Sequence, residues 1–220
     1  MKTCILIPGY NESRMIGQVV SEARKIIDDV IVVDDGSRDN TAQIAQGAGA
    51  IVLKHEVNKG KGAALKTGFQ YAIEHKYDAV ITMDSDGQHD PSDIPGFFNA
   101  LEKIGSGIII GSRMNDISTM PAIRKCTNKL TSFASSLLAH QKIEDSQSGF
   151  RLITSDVLQT VKLETDRFET ESEILIKASK AGFRITSVPI KTIYGEEKSK
   201  IRPIHDTYRF FKLLFRSLRW

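Results

Sequence analysis

The sequence predicts an α/β fold in which a mixed, mostly parallel central sheet is flanked by helices. In the first half of the chain, short β-branched runs alternate with longer segments whose apolar residues recur at helical spacing. This order is typical of parallel strands connected by helices. The strand-like runs are continuously apolar, which indicates that both faces of the sheet are covered. A length of 220 residues is enough for one domain with a sizeable core.

The composition excludes several other classes of protein. Hydrophobic residues make up 40% and charged residues 26% of the chain, so disordered, collagen-like and coiled-coil structures are not expected. No apolar run approaches the roughly 20 residues of a membrane-spanning helix, and the N-terminal apolar stretch is too short for a signal peptide. The two cysteines, Cys4 and Cys126, make no disulfide framework or metal cluster, which fits the cytoplasm or another reducing compartment.

Strands and helices follow one another in turn along the first half of the chain. Strands are expected at 4–7, 30–33, 50–53, 79–83 and 108–110, because each is a short apolar run rich in β-branched residues. Helices are expected between them at 12–27, 40–46, 61–75 and 91–103. Asp39 or Asn40 can cap the second of these helices, and Pro91 opens the fourth.

The pattern is less regular after about residue 112. Helices are expected at 121–140 and 169–181, and strands at 150–153 and 184–190. Pro203 is expected to open a last helix. This order indicates a nucleotide-binding first half and a second half that completes another site.

Polar segments follow the first four predicted strands, at 8–12, 34–37, 58–62 and 84–88. Each one alone is weak support for a site, because Asp-Gly and Asn-X-Gly sequences are common in turns. In an open α/β sheet, however, ligands bind beyond the carboxyl ends of the strands. Four such segments in register at that edge therefore predict a ligand-binding site.

Asp84 and Asp86 are the most specific pair in these segments. Alternate residues of an extended segment can face the same way, and Gln88 adds an amide oxygen. Such a set suits Mg²⁺ or Mn²⁺, which leaves coordination positions for substrate phosphates. The P-loop pattern is absent, and no Gly-x-Gly-x-x-Gly pattern follows the first strand. His89 could join a metal here, but a lone histidine beside an acidic turn is more often a surface residue, and we expect it at the surface.

These motifs resemble those of the family 2 inverting glycosyltransferases, which have the GT-A fold. The resemblance is carried by the four polar segments, including Asp84-Ser85-Asp86, and extends over nearly the whole chain. It implies that Asp84, Ser85 and Asp86 bind the donor diphosphate through Mg²⁺ or Mn²⁺, and that Lys61 approaches the donor phosphates. The implied nucleoside pocket is lined by Pro8, Tyr10, Glu12, Val33 and Asp35.

The second half of the chain resembles the polyprenyl-phosphate sugar synthases, which include the dolichol-phosphate mannose and glucose synthases. The matching segments are 111–113, 145–151 and 168–171, with Arg124 in the helix between the first two. The resemblance implies a lipid phosphate acceptor. Arg113 and Arg124 suit this acceptor, because guanidinium groups bind phosphate oxygens in pairs.

We therefore predict a metal-dependent enzyme that transfers a hexose from a GDP- or UDP-linked donor to a polyprenyl or dolichyl phosphate. The predicted catalytic residues are Asp86, Arg113, Arg124 and Asp145. A later basic segment corresponds to one that closes over the diphosphate in the synthases, so Ser199, Lys200 and Arg202 are also expected to bind the donor.

Other functions stay open at this point. If the acceptor is a saccharide hydroxyl, as in glycan or cell-envelope polysaccharide synthesis, the reaction needs a general base, and Asp145 is the best candidate. Asp145 can otherwise orient the turn that follows it. A third function is that of a non-catalytic nucleotide-sugar-binding module. The alternating Glu169, Glu171 and Glu173 are either part of the site or the solvated face of a helix.

The formal charge of +3 is divided unevenly along the chain. Residues 198–220 hold seven basic residues and one acidic residue, whereas 1–197 hold 23 basic and 26 acidic residues. We expect 1–197 to form the glycosyltransferase domain. The tail, 198–220, is expected to belong to the same domain or to lie on a membrane surface.

The last predicted helix carries adjacent apolar and basic stripes. The apolar stripe consists of Tyr208, Phe211, Phe215 and Leu218, and Phe210, Leu213, Leu214 and Trp220 widen it. Such helices suit an anionic membrane interface, although the helix can also dock on the body of the protein. We expect the protein to lie at the cytoplasmic face of a membrane as a peripheral protein. Binding to nucleic acid is not expected. The sequence leaves open a homodimer, a membrane-anchoring partner and a larger membrane protein of which this chain is a part.

Overall fold

A computed structural model describes residues 1–114, 122–191 and 203–217, although the side chains of 122–124, 203–208 and 211 are outside the description. The described strands form one sheet: β1 (Thr3–Gly9), β2 (Val30–Asp34), β3 (Ile51–Lys54), β4 (Ala79–Thr82), β5 (Gly107–Ser112), β6 (Arg151–Thr154) and β7 (Arg184–Pro189). Their order is β3-β2-β1-β4-β6-β5-β7. All neighbours are parallel except β6, which runs antiparallel to both β4 and β5. The expected mixed, mostly parallel sheet is therefore confirmed.

Helices cover both faces of this sheet. They are α1 (Ile16–Arg24), α2 (Thr41–Gly47), α3 (Lys61–Glu74), α4 (Ile94–Ile104), α5 (Ala122–Ala139), α6 (Ser155–Thr160), α7 (Thr170–Lys180) and α8 (Pro203–Ser217). A 3₁₀ turn, Pro91–Asp93, precedes α4. The sequence did not predict α6, because six residues with one buried side chain, Val157, are too short to display a helical period.

The core consists of two layers, one on each face of the sheet. Alternate residues of a strand point to opposite faces, so Cys4 and Leu6 of β1 join one layer, whereas Ile5 and Ile7 join the other. The first layer packs against α3 and α7, and the second against α1, α2 and α4. Burial raises the pKa of the Cys4 thiol to about 12, which makes this cysteine unreactive.

The C-terminal helix α8 packs against α5 and α7. Phe210 and Leu213 are buried, and the ammonium of Lys180 in α7 donates to the carbonyl of Ser217 at 2.6 Å. Phe215, in contrast, is exposed. The sequence left two possibilities for this helix, docking on the body and contact with a membrane. One face of α8 is docked, and the apolar side chain of Phe215 stays exposed.

Arg151 connects β6 to the segments on either side of it. Its buried guanidinium donates to the carbonyls of Ser148 at 2.7 Å, Ser146 at 2.8 Å and Glu171 at 2.6 Å. The first two carbonyls belong to the turn before β6, and the third lies in the first turn of α7. Burial lowers the pKa of this guanidinium. The side chain thus fixes two loops at the carboxyl edge of β4.

Replacing Arg151 tests this role. We expect Arg151→Met to lower the free energy of unfolding by about 3 kcal/mol or more, because three buried carbonyls lose their donor. Urea unfolding followed by circular dichroism measures the change. The matched control is Arg38→Met at an exposed position, which should alter the stability by less than about 0.5 kcal/mol. Equal stabilities of the two variants would contradict a structural role of Arg151.

Candidate active site

The loops after β1 and β2 lie side by side at the carboxyl edge of the sheet. Pro8 and Val33 are partners in the register of these two strands. Beyond them, the Asn11 amide donates to Ser37 Oγ, and the Arg38 amide donates to Asn11 Oδ1, both at 2.9 Å. The structure thereby brings together the residues predicted to line the nucleoside pocket: Pro8, Tyr10, Glu12, Val33 and Asp35.

Asp35 fixes the loop that leads into α3. Its carboxylate accepts from the Lys59 amide at 2.9 Å and from the Gly60 amide at 2.7 Å. Nδ1 of His55 lies 2.7 Å from Asp35 Oδ1, and Nε2 of His55 lies 2.9 Å from Thr67 Oγ1. The sequence did not point to His55, because its partners Asp35 and Thr67 are 20 and 12 residues away along the chain. Direct contact between Asp35 and a nucleoside stays a prediction.

The start of α3 approaches the 166–170 segment closely. The Ala63 amide donates to the carbonyl of Asp166 at 3.0 Å. A side chain at position 62 would be excluded, because a Cβ on Gly62 would lie 2.0 Å from Thr170 Oγ1. The glycine-rich loop at 58–62 therefore serves close backbone packing, which carries Lys61 toward the site.

Lys61 bridges two carboxylates. Its Nζ lies 2.5 Å from Asp84 Oδ1 and 2.6 Å from Glu171 Oε1. Burial opposes the charge on Lys61, but Asp84 and Glu171 outweigh it and hold the pKa of the ammonium above its usual value. Burial likewise opposes ionisation of Asp84, yet Lys61 and then His89 hold the pKa of that carboxyl well below its usual range.

The turn after β4 is compact. The Asp84 amide donates to His89 Nδ1 at 3.2 Å, and the Gln88 amide donates to Asp86 Oδ1 at 3.0 Å. His89 is buried and stacks on Phe150 with 5.0 Å between ring centroids. The expectation of a surface His89 is therefore wrong, because a backbone donor and an aromatic ring together accommodate the buried imidazole.

Arg113 is held by a buried carboxylate. Its Nε and one terminal nitrogen lie 2.8 and 2.9 Å from the two oxygens of Asp145, whose side chain is fully buried. Asp145 also accepts from Asn128 Nδ2 at 2.8 Å and from the Gln147 amide at 3.3 Å. Burial opposes ionisation of Asp145, but Arg113 outweighs it and lowers the pKa of the carboxyl.

Some of the predicted residues cannot be compared with the structure. Arg124 lies in the first turn of α5, but its side chain is outside the described residues. Ser199, Lys200 and Arg202 also fall outside them. Their assignment to donor or acceptor binding stays a prediction.

The acidic residues of α7 do not form a solvated face. Glu171 and Glu173 are buried. Glu173 accepts from the amides of Glu164 and Thr165 at 2.9 Å each and pairs with Lys177 at 2.7 Å. The solvated-face alternative is therefore wrong for these two residues, because each has specific donors on neighbouring segments.

Comparison with known proteins identifies the family. The model of glycosyl transferase family 2 matches residues 4–162, which is more than half of the chain. This protein belongs to that family. It is a glycosyltransferase, as its named relatives also indicate.

Several relatives are named for lipid phosphates, including one from Methanococcus voltae and one from Pyrococcus furiosus. The chain is 37% identical to a UDP-N-acetylglucosamine–dolichyl-phosphate N-acetylglucosaminyltransferase of Methanococcus voltae, with 87% of this chain and 86% of that protein covered. It is 30% identical to a dolichol-phosphate mannosyltransferase of Pyrococcus furiosus, with 100% of this chain and 64% of the relative covered.

A solved structure has the same fold. Glucosyl-3-phosphoglycerate synthase of Mycobacterium tuberculosis, crystallised with Mn²⁺, UDP-glucose and phosphoglyceric acid, superposes with a TM-score of 0.76 and 19% identity. The match covers 98% of this chain and 79% of that one. The expected GT-A fold is thereby confirmed.

The glycosyltransferase has a donor set that fits a divalent cation at Asp84 and Asp86. Burial raises the pKa of Asp86, and the nearby charge of Asp84 adds to this effect. A bound cation would relieve this repulsion. Within the described ranges, no group of three acidic, histidine or cysteine side chains could hold a metal. The possible metal ligands here are therefore two carboxylates and the Gln88 amide oxygen. So few protein ligands suit Mg²⁺ or Mn²⁺, which take their remaining ligands from water and substrate phosphates.

Gly149 offers a test of this site. A Cβ at position 149 would lie 2.7 Å from both carboxylate oxygens of Asp84, so Gly149→Ala should displace that side chain. We expect Mn²⁺ binding to weaken by about 10- to 100-fold, as measured by electron paramagnetic resonance of free Mn²⁺. Gly96→Ala is the control, because a Cβ there meets nothing within 4 Å. Unchanged affinity in Gly149→Ala would argue against Asp84 as a ligand.

Proposed function

We propose that this glycosyltransferase moves a hexose from a nucleotide sugar to a polyprenyl or dolichyl phosphate, with inversion at the anomeric carbon. Asp84, Asp86 and Gln88 would hold Mg²⁺ or Mn²⁺. The observation that carries the proposal is the two-point contact between Arg113 and the buried Asp145. Relatives named for dolichyl phosphate support the same acceptor.

The state of Asp145 favours an acceptor that is already an anion. Both of its oxygens accept from Arg113, and one also accepts from Asn128 and from the Gln147 amide. A carboxylate with a lowered pKa and several donors is a poor general base. A saccharide hydroxyl would need such a base, whereas a phosphate oxygen does not. The arrangement therefore supports the lipid phosphate over the saccharide alternative.

Arg113 and Lys61 would act on opposite partners in the reaction. The acceptor phosphate oxygen attacks the anomeric carbon, and the bond to the donor diphosphate breaks with the electron pair leaving on the nucleotide. Arg113, which Asp145 keeps in one orientation, would bind the acceptor phosphate. Lys61 would neutralise charge on the departing diphosphate. A bound divalent ion would supply further charge stabilisation at that diphosphate.

The outer face of α5 supports a peripheral contact with a membrane. Leu130, Phe133 and Leu137 are each more than half exposed and recur at spacings of three and four, so they lie on one face of the helix. Phe215 of α8, a helix that contacts α5, is exposed as well. Lys129 is exposed beside them. An exposed apolar face with an adjacent cation suits an anionic lipid interface.

No helix in the described part of the chain is long and apolar enough to cross a bilayer. We propose that contact with the lipid acceptor uses the exposed side chains of Leu130, Phe133, Leu137 and Phe215, which are called the exposed apolar patch below.

A transfer assay tests the proposed reaction. Radiolabelled UDP- and GDP-sugars are incubated with Mn²⁺ and with either a short polyprenyl phosphate or soluble saccharides. We expect label from one donor to enter the organic phase with the polyprenyl phosphate. Asp86→Asn should reduce this transfer by about 100-fold or more. The exposed Asp28→Asn should retain normal rates. If label moves only to soluble saccharide acceptors, the saccharide alternative is correct instead.

Membrane contact has its own test. Phe133→Glu with Leu137→Glu should weaken binding to vesicles that contain anionic lipid by at least about tenfold, because two apolar side chains no longer enter the interface. Co-sedimentation at low and high salt measures this binding. The control is Ile26→Glu, an exposed apolar residue at the end of α1. Equal vesicle binding by wild type and the double variant would exclude α5 from the interface.

A further inference from the structure

Three ionised side chains from separate elements meet beside the proposed metal site. Lys61 comes from the first turn of α3, Asp84 follows β4, and Glu171 lies in the first turn of α7. The Lys61 ammonium contacts both carboxylates, at 2.5 Å for Asp84 and 2.6 Å for Glu171. The side chains of Lys61 and Glu171 are 18% and 8% exposed. At such burial an ammonium depends on anionic partners.

Glu171 is the firmly held member of this group. Its backbone carbonyl accepts from the buried guanidinium of Arg151 at 2.6 Å, and its amide donates to the carbonyl of Phe168 at 3.3 Å. Phe168 places its ring centroid 5.9 Å from the Lys61 ammonium. Lys61, in contrast, has a flexible four-carbon stem. The anchored backbone of Glu171 and its 8% exposed side chain therefore restrict where the carboxylate can meet the flexible ammonium.

We propose that Glu171 is a positioning residue that keeps the Lys61 ammonium beside the donor diphosphate when Asp84 coordinates a divalent cation. This inference rests on the proposed function, because it takes Asp84 as a metal ligand and Lys61 as a phosphate ligand. A cation on Asp84 Oδ1 competes with Lys61 for that oxygen. Without Glu171, the buried ammonium would then lose its close anionic partners, which is costly.

The charges of the group agree with this role. With all of them ionised, Asp84, Asp86 and Glu171 carry three negative charges, and Lys61 carries one positive charge. A divalent cation balances the remainder. Lys61 then keeps one carboxylate partner while its other N–H groups are free to donate to phosphate oxygens.

Replacing Glu171 has two opposite effects on diphosphate affinity, and the experiment separates them by sign. Removing a negative charge beside an anion site should by itself strengthen diphosphate binding. If Glu171 positions Lys61, Glu171→Gln should instead weaken the binding of UDP or GDP by about tenfold. Isothermal titration at saturating Mn²⁺ measures this affinity without any need for transfer. Gln preserves the shape of the side chain, and thermal unfolding checks that the variant is folded.

Two further variants make the test specific. Lys61→Met should also weaken nucleotide binding, and adding Glu171→Gln to it should cause no further loss, because the group that Glu171 acts on is gone. Asp166→Asn is the matched control: it removes a charge from the segment just before α7, but the exposed Asp166 side chain pairs with Lys66 and not with Lys61. This control should leave the affinity unchanged or slightly higher.

The outcomes separate the two proposals. Wild-type protein that binds neither UDP nor GDP would overturn the donor assignment and this inference together. If wild type binds a nucleotide and Glu171→Gln binds it equally or more tightly, only the positioning role of Glu171 is overturned. A full loss from Glu171→Gln in the Lys61→Met background would also overturn it, since Glu171 would then act independently of Lys61.

Discussion

The buried guanidinium of Arg151 is the interaction on which the candidate site depends. It donates to carbonyls of the turn that follows Asp145 and to the carbonyl of Glu171 in the first turn of α7. The same turn ends at Gly149, where only a missing Cβ leaves room for the Asp84 carboxylate. One side chain therefore fixes the support of Arg113, the space for Asp84 and the partner of Lys61. A charged donor suits this task, because its several N–H groups bind three buried carbonyls from two segments at once.

Around this centre, opposite charges are paired across separate elements. Asp145 neutralises Arg113, and Glu171 with Asp84 neutralises Lys61. Buried pairs of this kind add little net stability, since desolvation offsets their attraction. Their value is orientation: each cation is held at a defined place, where under the proposed function it would meet a substrate phosphate. Such preorganisation lowers the cost of rearrangement when negative charge develops on a leaving diphosphate.

The sequence predicted those features of the fold and the candidate site that depend on residues close together along the chain. The four polar segments at strand ends, the Asp84 and Asp86 pair and most helix and strand positions follow from periodicity and turn chemistry. The antiparallel direction of β6 could not be read from its apolar residues, because a continuous apolar run is the same in either direction. The burial of His89 and Glu171 also escaped prediction. Each depends on a partner far away in sequence, Phe150 for the first and Lys61 for the second.

The helix α5 links the proposed acceptor chemistry to the proposed membrane surface. Its inner face places Asn128 against Asp145, the carboxylate that orients Arg113. Its outer face carries three of the four residues of the exposed apolar patch, Leu130, Phe133 and Leu137. A polyprenyl phosphate has its charged group at the end of a chain that stays in lipid, so its enzyme must bring a phosphate site close to the interface. A single helix that contacts the supporting carboxylate on one side and faces lipid on the other meets that requirement. The uneven charge agrees with this proposal, because the excess of basic residues lies at 198–220. Arg209, Lys212 and Arg216 of that segment belong to α8, which contacts α5.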